Sequence, residues 1–113
     1  MDVLSVLRER ARRDLELLER NRRHRDDLAK SRPVDFEMVA DAEDGAQRAC
    51  DFVMACNYGQ CWVAAEQGEW KVYVRIPMPL EQDQLCRVSG LMALIAATFG
   101  LRYDGWGCIL RTT

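Results

Sequence analysis

The chain has 113 residues, of which 49% are hydrophobic and 30% are charged, a composition typical of one soluble globular domain. Residues 1–32 carry a net charge of +3, from ten Lys/Arg against seven Asp/Glu, whereas the remainder carries −5, from six against eleven. The acidic body argues against nonspecific nucleic-acid binding through it, and the apolar runs are too short to span a bilayer.

A narrow apolar stripe at three- and four-residue steps predicts a helix from residue 2 to about residue 23. Its members are Val3, Leu7, Ala11, Leu15 and Leu18. We expect the stripe to pack within the chain, and the alternative is a helix-mediated dimer.

The polar stretch "RNRRHRDD" is predicted to end this helix and holds a basic cluster, Arg20, Arg22, Arg23 and Arg25. One interpretation is a solvated helix end, where the helix dipole favours arginine. The other is a patch that binds RNA or an acidic partner. The adjacent carboxylates Asp26 and Asp27 are predicted to lie in a surface loop.

The stretch from Arg32 to Ala40 alternates between apolar and polar residues and predicts a half-buried strand that Pro33 starts. A helix is predicted to follow, with Asp41 as its N-cap and Gly59 as its stop. The apolar stripe of that helix comprises Ala46, Ala49, Cys50, Val53 and Cys56 or Asn57.

Two further strands are predicted around a turn at Gln67-Gly68, and Pro77 and Pro79 close the second of them. A third helix follows and ends at Gly100. Its apolar positions are Leu85, Val88, Leu91, Met92 and Ile95. Gly90 interrupts this helix, and a close contact between the helix and the sheet is the expected reason.

The predicted order is a helix followed by β-α-β-β-α-β, which corresponds to the α+β ferredoxin-like sandwich: a four-stranded antiparallel sheet with two helices on one face. We predict one domain overall, divided into an N-terminal arginine-rich helix and turn (1–31) and the α+β unit (32–113).

The alternation within the strands predicts a polar free face on this sheet. The first and third predicted strands should be neighbours in the sheet. Asp35 and Glu37 on the first strand then lie beside Lys71, Tyr73 and Arg75 on the third. This pattern fits either a cross-strand charge ladder or a polar docking surface. RNA-binding sheets carry stacking aromatics on both central strands, whereas here only Tyr73 is expected to be able to stack.

The residues offer no catalytic or metal-binding constellation. The one histidine, His24, lies in the arginine-rich stretch without a predicted nucleophile beside it, and we predict that the protein is not an enzyme. The cysteines form no C-x-x-C pair, so we predict no metal and no other cofactor. Their odd number predicts free thiols in a reducing cytosol, at Cys50, Cys56, Cys61, Cys86 and Cys108. The N-terminus shows no signal-peptide pattern, and a cytoplasmic protein is expected.

The C-terminal stretch "YDGWG" is predicted to lie in the last strand. Simple alternation places Leu101, Tyr103, Gly105, Gly107 and Ile109 on one face and Arg102, Asp104, Trp106, Cys108 and Leu110 on the other, unless a glycine bulge resets it. If the strand closes the core, Trp106 is buried and Asp104 accepts hydrogen bonds from nearby backbone. The alternative is a docking surface, for which Tyr103, Asp104 and Trp106 are the candidates.

Several motifs together resemble the RraB family of bacterial regulators of ribonuclease E activity. They run from residue 17 to residue 107 and comprise "LLER" (17–20), the "DD" turn (26–27), "RPVDF" (32–36), "GEWKVYV" (68–74), "PMP" (77–79) and "YDGWG" (103–107). The sequence departs from that pattern in ending with "ILRTT" instead of a long acidic tail, and in the arginine content of its first helix.

The resemblance implies a ferredoxin-like sandwich and a cytoplasmic, non-catalytic protein that binds the scaffold region of an endoribonuclease and alters RNA turnover. We expect the partner to contact Asp35, Glu37, Tyr73 and Arg75 together with the three motif residues. Two alternatives remain open: an immunity-type inhibitor of a basic toxin, and an RNA-binding protein that uses the basic cluster.

Overall fold

The computed structural model describes residues 2–108, so the expected positions of Ile109 and Leu110 lie outside the described residues. Three helices and four strands follow one another along the chain: α1 (Val3–Arg23), β1 (Arg32–Ala40), α2 (Glu43–Ala55), β2 (Gln60–Glu66), β3 (Glu69–Met78), α3 (Gln82–Thr98) and β4 (Arg102–Cys108). The predicted elements are all present, and their order is confirmed.

The strands form one antiparallel sheet in the order β2-β3-β1-β4. The fold is therefore an α+β arrangement with β1 beside β3, as predicted, while the more specific ferredoxin-like assignment stays a prediction. One face of the sheet carries the core, where α2 and α3 cover the alternate residues Val34, Phe36, Met38, Val72 and Val74. None of the helices in the described chain is both long and apolar enough to cross a membrane.

The turn between β2 and β3 has the predicted position and a defined geometry. Gln67 and Gly68 both have positive φ, 51° and 77°, as a two-residue hairpin turn of the primed type requires. The turn sets Glu66 opposite Glu69, and the register then runs without a break along both strands.

Two predictions about α2 are wrong. Ala42, not Asp41, is the N-cap and makes no side-chain cap bond. The helix ends at Ala55, and the left-handed residue after it is Asn57 (φ 59°), so Gly59 is not the stop. Asn tolerates that conformation because its short polar side chain hydrogen-bonds locally.

Gly59 is required by close packing instead. A Cβ added there would lie 2.8 Å from Ile76 Cγ1 and 3.0 Å from the carbonyl oxygen of Arg75. We expect Gly59→Ala to lower the free energy of unfolding by about 1–3 kcal/mol, since β3 would have to move. Urea unfolding measures this loss, and Gly107→Ala is the matched control because its added Cβ meets no atom within 4 Å. Equal stability of the two variants would show that the contact at Gly59 is relaxed.

The first helix packs within the chain against α3, as expected, but not through the whole predicted stripe. Leu18 is buried and Leu7 is half-buried, whereas Val3, Ala11 and Leu15 are exposed. The buried line along α1 is Arg10, Asp14 and Leu18. The predicted stripe differs from the buried line because Arg10 and Asp14 have polar partners inside the protein. Gly90 faces this helix and not the sheet, since its added Cβ would lie 3.8 Å from Leu7 Cδ2.

The connection between α1 and β1 is held by a buried ion pair. The side chains of Asp26 and Arg32 are both fully buried, and Arg32 Nη1 donates to the two carboxylate oxygens at 2.6 and 2.7 Å. Arg32 also donates to the carbonyl oxygens of Asp27 and Lys30. The prediction that Asp26 lies at the surface is therefore wrong, because Arg32 draws it inward, whereas Asp27 is exposed.

Candidate functional site

The face of the sheet that the helices leave uncovered is the predicted polar face. Directly opposed residues of antiparallel strands share a face, and the register places Asp35 opposite Arg75 and Glu37 opposite Tyr73. The side chains of Asp35, Glu37, Tyr73 and Arg75 are all half-exposed. We call this surface the free face.

Two ion pairs cross from β1 to β3 on the free face. Arg75 binds Asp35 in a bidentate manner, with Nε–Oδ1 at 2.7 Å and Nη2–Oδ2 at 2.9 Å, and this pairing raises the pKa of Arg75. Lys71 Nζ lies 3.5 Å from Glu37 Oε1. The predicted charge ladder is therefore confirmed, and it fixes the direction of Arg75 across the sheet.

An aromatic cluster on the same face includes a residue that the sequence analysis missed. Trp62 on β2 stacks on Tyr73, with ring centroids 5.4 Å apart, and the guanidinium carbon of Arg75 lies 5.1 Å from the Trp62 ring centroid. The Tyr73 hydroxyl donates to Glu66, which together with burial and Glu37 raises the pKa of Tyr73. Tyr73 is the one residue of the two central strands that stacks on this face, as predicted, and its partner Trp62 lies on the edge strand β2. The two-residue turn contained the missing signal, because pairing Glu66 with Glu69 places Trp62 opposite Tyr73.

A bulge in β4 decides which side of the sheet the "YDGWG" residues face. Gly105 pairs with Glu37, but the next residue of β1, Met38, pairs with Tyr103, so Asp104 is the extra residue. Gly105 has φ 103°, a conformation that favours glycine. The bulge resets the alternation, and Tyr103, Trp106 and Cys108 all pack against the core.

A groove with a volume of about 590 Å³ lies on the free face beside β4. Ten residues line it: Pro33, Asp35, Glu37, Tyr73, Arg75, Asp104, Gly105, Trp106, Gly107 and Cys108. An added Cβ at Gly107 meets no atom within 4 Å, so this position opens onto free space. Three carboxylates and one guanidinium line the groove, and its lining is therefore acidic.

Six of the seven candidate partner-binding residues line this one groove, and Tyr103 does not. The bulge turns Tyr103 to the helix side, where it lies beneath α1. Asp104 is exposed and accepts no hydrogen bond from residues 2–108, so the prediction that it binds nearby backbone is wrong. Trp106 is half-buried, between the groove and the core, in partial agreement with the core-closing interpretation.

A polar cluster behind the motif attaches α1 to β4. Asp14 is 1% exposed, and its Oδ1 accepts from Arg10 Nε and from Trp106 Nε1, both at 3.1 Å. The hydroxyl groups of Ser89 and Tyr103 are hydrogen-bonded at 2.8 Å. The motif residues Tyr103 and Trp106 therefore position the first helix relative to the sheet.

Burial raises the pKa of Asp14, against the opposing effects of Ser89, Arg10 and Trp106. A raised folded-state pKa means that the folded protein binds this proton more tightly than the unfolded chain does. The contribution of Asp14 to the free energy of unfolding is fully present below the pKa of this residue in the unfolded chain. It is lost as the pH rises through the higher pKa of the same residue in the folded protein.

We therefore expect Asp14 to lower the free energy of unfolding as the pH rises from 3.8, the ordinary pKa of an aspartate, through the elevated pKa of Asp14. Urea unfolding across that pH range measures the slope. Asp14→Asn should remove this component, and a variant with the same pH profile as the wild type would contradict the assignment.

The basic cluster lies at the exposed end of α1, which ends at Arg23 as predicted. Arg22 and Arg23 both pair with Glu19, at 2.8 and 3.7 Å, while Arg20 borders a shallow depression that contains Trp106 and Gly107. Arg25 is exposed in the following turn with φ 62°. Glu19 neutralises part of the cluster, and a role for these arginines in RNA binding stays a prediction.

The described residues contain no group of three or more His, Cys, Asp or Glu side chains that could hold a metal ion. The five cysteines are free; Cys50 is buried, and Cys56 is exposed in contrast to the expected packing. Burial raises the pKa values of Cys61, Cys86 and Cys108.

Comparison with known proteins gives one family. The family model described as "Regulator of ribonuclease activity B" matches residues 12–108, and therefore includes most of α1 and all of the sheet. No curated protein matches the chain.

Proposed function

The chain belongs to the family of regulators of ribonuclease activity B, and from this membership we propose that it is a non-catalytic protein that binds an intracellular bacterial endoribonuclease of the ribonuclease E type and lowers its activity. A surface that is already ordered in the free protein lowers the entropic cost of binding a partner. The groove on the free face supports this proposal, because one sheet holds its walls in place.

The observation that carries the proposal is the convergence of β1, β3 and the motif strand β4 on that groove. Arg75 is fixed by Asp35 and by Trp62, so its side chain loses little conformational freedom when a partner binds. Aromatic residues and arginine are enriched among the residues that dominate binding energy. The free face therefore has the composition of an interaction site.

The acidic lining of the groove supports the proposal that a basic segment of the ribonuclease docks there. Asp104 is exposed at the rim, and the chain beyond residue 32 carries a net charge of −5. Complementary charge raises the association rate and suppresses unsuitable partners. The β-α-β-β-α-β order of elements supports the further proposal that the supporting scaffold is of the ferredoxin-like kind.

Affinity capture from the source bacterium tests the identity of the partner. Tagged wild-type chain and Gly107→Arg are used as baits, and captured proteins are identified by mass spectrometry. The wild type should recover a ribonuclease E-type enzyme, and the variant should recover much less because the new side chain occupies the groove. If the wild type recovers neither a ribonuclease nor another RNA-degradation component, the proposal is wrong.

A further inference from the structure

A second cleft, on the helix side of the sheet, lies between the first half of α1, the end of α3 and the start of β4. Its volume of about 390 Å³ falls within the range of small-molecule sites, roughly 300–1,000 Å³. Its apolar lining consists of Val6, Ala93, Ala97, Leu101 and the ring of Tyr103. Ala93 and Ala97 lie one helical turn apart on α3, and their small side chains leave the space open.

Arg10 supplies a buried cation to this cleft. Its side chain is 9% exposed, and its guanidinium carbon lies 5.0 Å from the centroid of the Tyr103 ring. Nε donates to Asp14, but Nη1 and Nη2 donate no hydrogen bond to any residue in the range 2–108. Both Nη atoms keep contact with solvent, because Asp14 Oδ2 is the one side-chain nitrogen or oxygen within residues 2–108 that is buried without a hydrogen-bond partner, and both donors are therefore accessible to a ligand. Arg10 is therefore prepared to receive an anion, and its planar fork matches the two oxygens of a carboxylate.

The charged residues that line the cleft favour a negatively charged ligand. Arg13 and Arg102 stand at the rim with Arg10 inside; Arg13 pairs with Glu9 at 3.0 Å, and Arg102 has Glu69 at 3.8 Å. The charged residues that line the cleft are three arginines and Glu9, with a net charge of +2, and the partners Asp14 and Glu69 lie outside the lining.

We propose that the cleft binds a small carboxylate with a hydrocarbon body, such as a medium-chain fatty acid. The carboxylate accepts hydrogen bonds from Arg10, and the hydrocarbon chain lies against Val6, Ala97 and Leu101. A ligand in this position contacts α1, α3 and β4 together. Because it binds the folded chain alone, it raises the Tm by mass action.

Titration of the full chain with octanoate, followed by calorimetry and by thermal unfolding, tests this site. We expect a Kd of about 1 mM or tighter for a ligand of about ten non-hydrogen atoms. Octan-1-ol, which lacks the charge, and acetate, which lacks the hydrocarbon body, should each bind at least about tenfold more weakly. Equal affinity for octanoate and either analogue, or no octanoate binding, would overturn the proposal.

Two variants separate the site from general stability. Ala97→Leu fills the cleft but keeps the Arg10–Asp14 pair, and it should weaken octanoate binding at least about tenfold. Arg8→Gln, which changes an exposed arginine of α1 outside the cleft, should bind octanoate like the wild type. Wild-type octanoate affinity in Ala97→Leu, or an equal loss in Arg8→Gln, would show that the cleft is not the site.

Discussion

Replacing Arg32 with alanine is expected to lower the free energy of unfolding by about 3–5 kcal/mol, because it leaves the carboxylate of Asp26 buried without its guanidinium partner. The loss should be this large because both side chains are fully buried and Arg32 also binds two backbone carbonyl oxygens. Urea unfolding monitored by tryptophan fluorescence and by circular dichroism measures it.

Arg22→Ala is the matched control for this prediction. It removes an arginine that is 60% exposed and paired with Glu19, and such a surface pair contributes about 1 kcal/mol at most. The Arg32 and Arg22 variants should therefore differ by at least about 2 kcal/mol. Similar stabilities would mean that the Asp26–Arg32 pair contributes little beyond its solvation cost.

Replacing Gly107 with arginine is expected to weaken binding to the ribonuclease at least about 30-fold, which corresponds to about 2 kcal/mol. The added side chain starts from a Cβ with no atom within 4 Å, so it extends over the groove without displacing the backbone. It also places a cation among Asp35, Glu37 and Asp104, where the proposed basic segment would dock.

The control for this variant is Gln84→Arg, which adds the same charge at an exposed position of α3, away from the free face. Surface plasmon resonance with purified ribonuclease should give wild-type affinity for Gln84→Arg. Thermal unfolding should place both variants within a few degrees of the wild type, since surface substitutions usually change stability by about 0.5 kcal/mol or less. Wild-type affinity of Gly107→Arg for the ribonuclease would show that the groove is not part of the interface.

For β1 and for the turn between β2 and β3, local sequence patterns were sufficient. The alternation in β1 gave its bounds and its buried face, and Gln67-Gly68 located the hairpin. The same local rules placed Asp35, Glu37, Tyr73 and Arg75 on one surface, because alternation and strand neighbourhood determine the polar face of a sheet.

Local signals misplaced the two ends of α2, and other errors concern residues whose surroundings come from distant parts of the chain. Arg10 and Asp14 lie on the buried side of α1 because Tyr103 and Trp106 meet them there, and helical periodicity alone treats both as surface residues. Asp26 was misplaced because its buried partner Arg32 belongs to the next element, six residues along the chain. Tyr103 was assigned to the docking surface because the extra residue in β4 becomes visible only when the strand is paired with β1.

The rate of RNA cleavage tests the proposal that this chain restrains a ribonuclease through the free face. Purified ribonuclease E-type enzyme is titrated with wild-type chain, Gly107→Arg or Gln84→Arg, and a further sample contains the chain and RNA alone. We expect saturable slowing by the wild type and by Gln84→Arg, at least about 30-fold weaker slowing by Gly107→Arg, and intact RNA without the enzyme. A cleavage rate that stays constant at saturating wild-type chain would contradict the proposal.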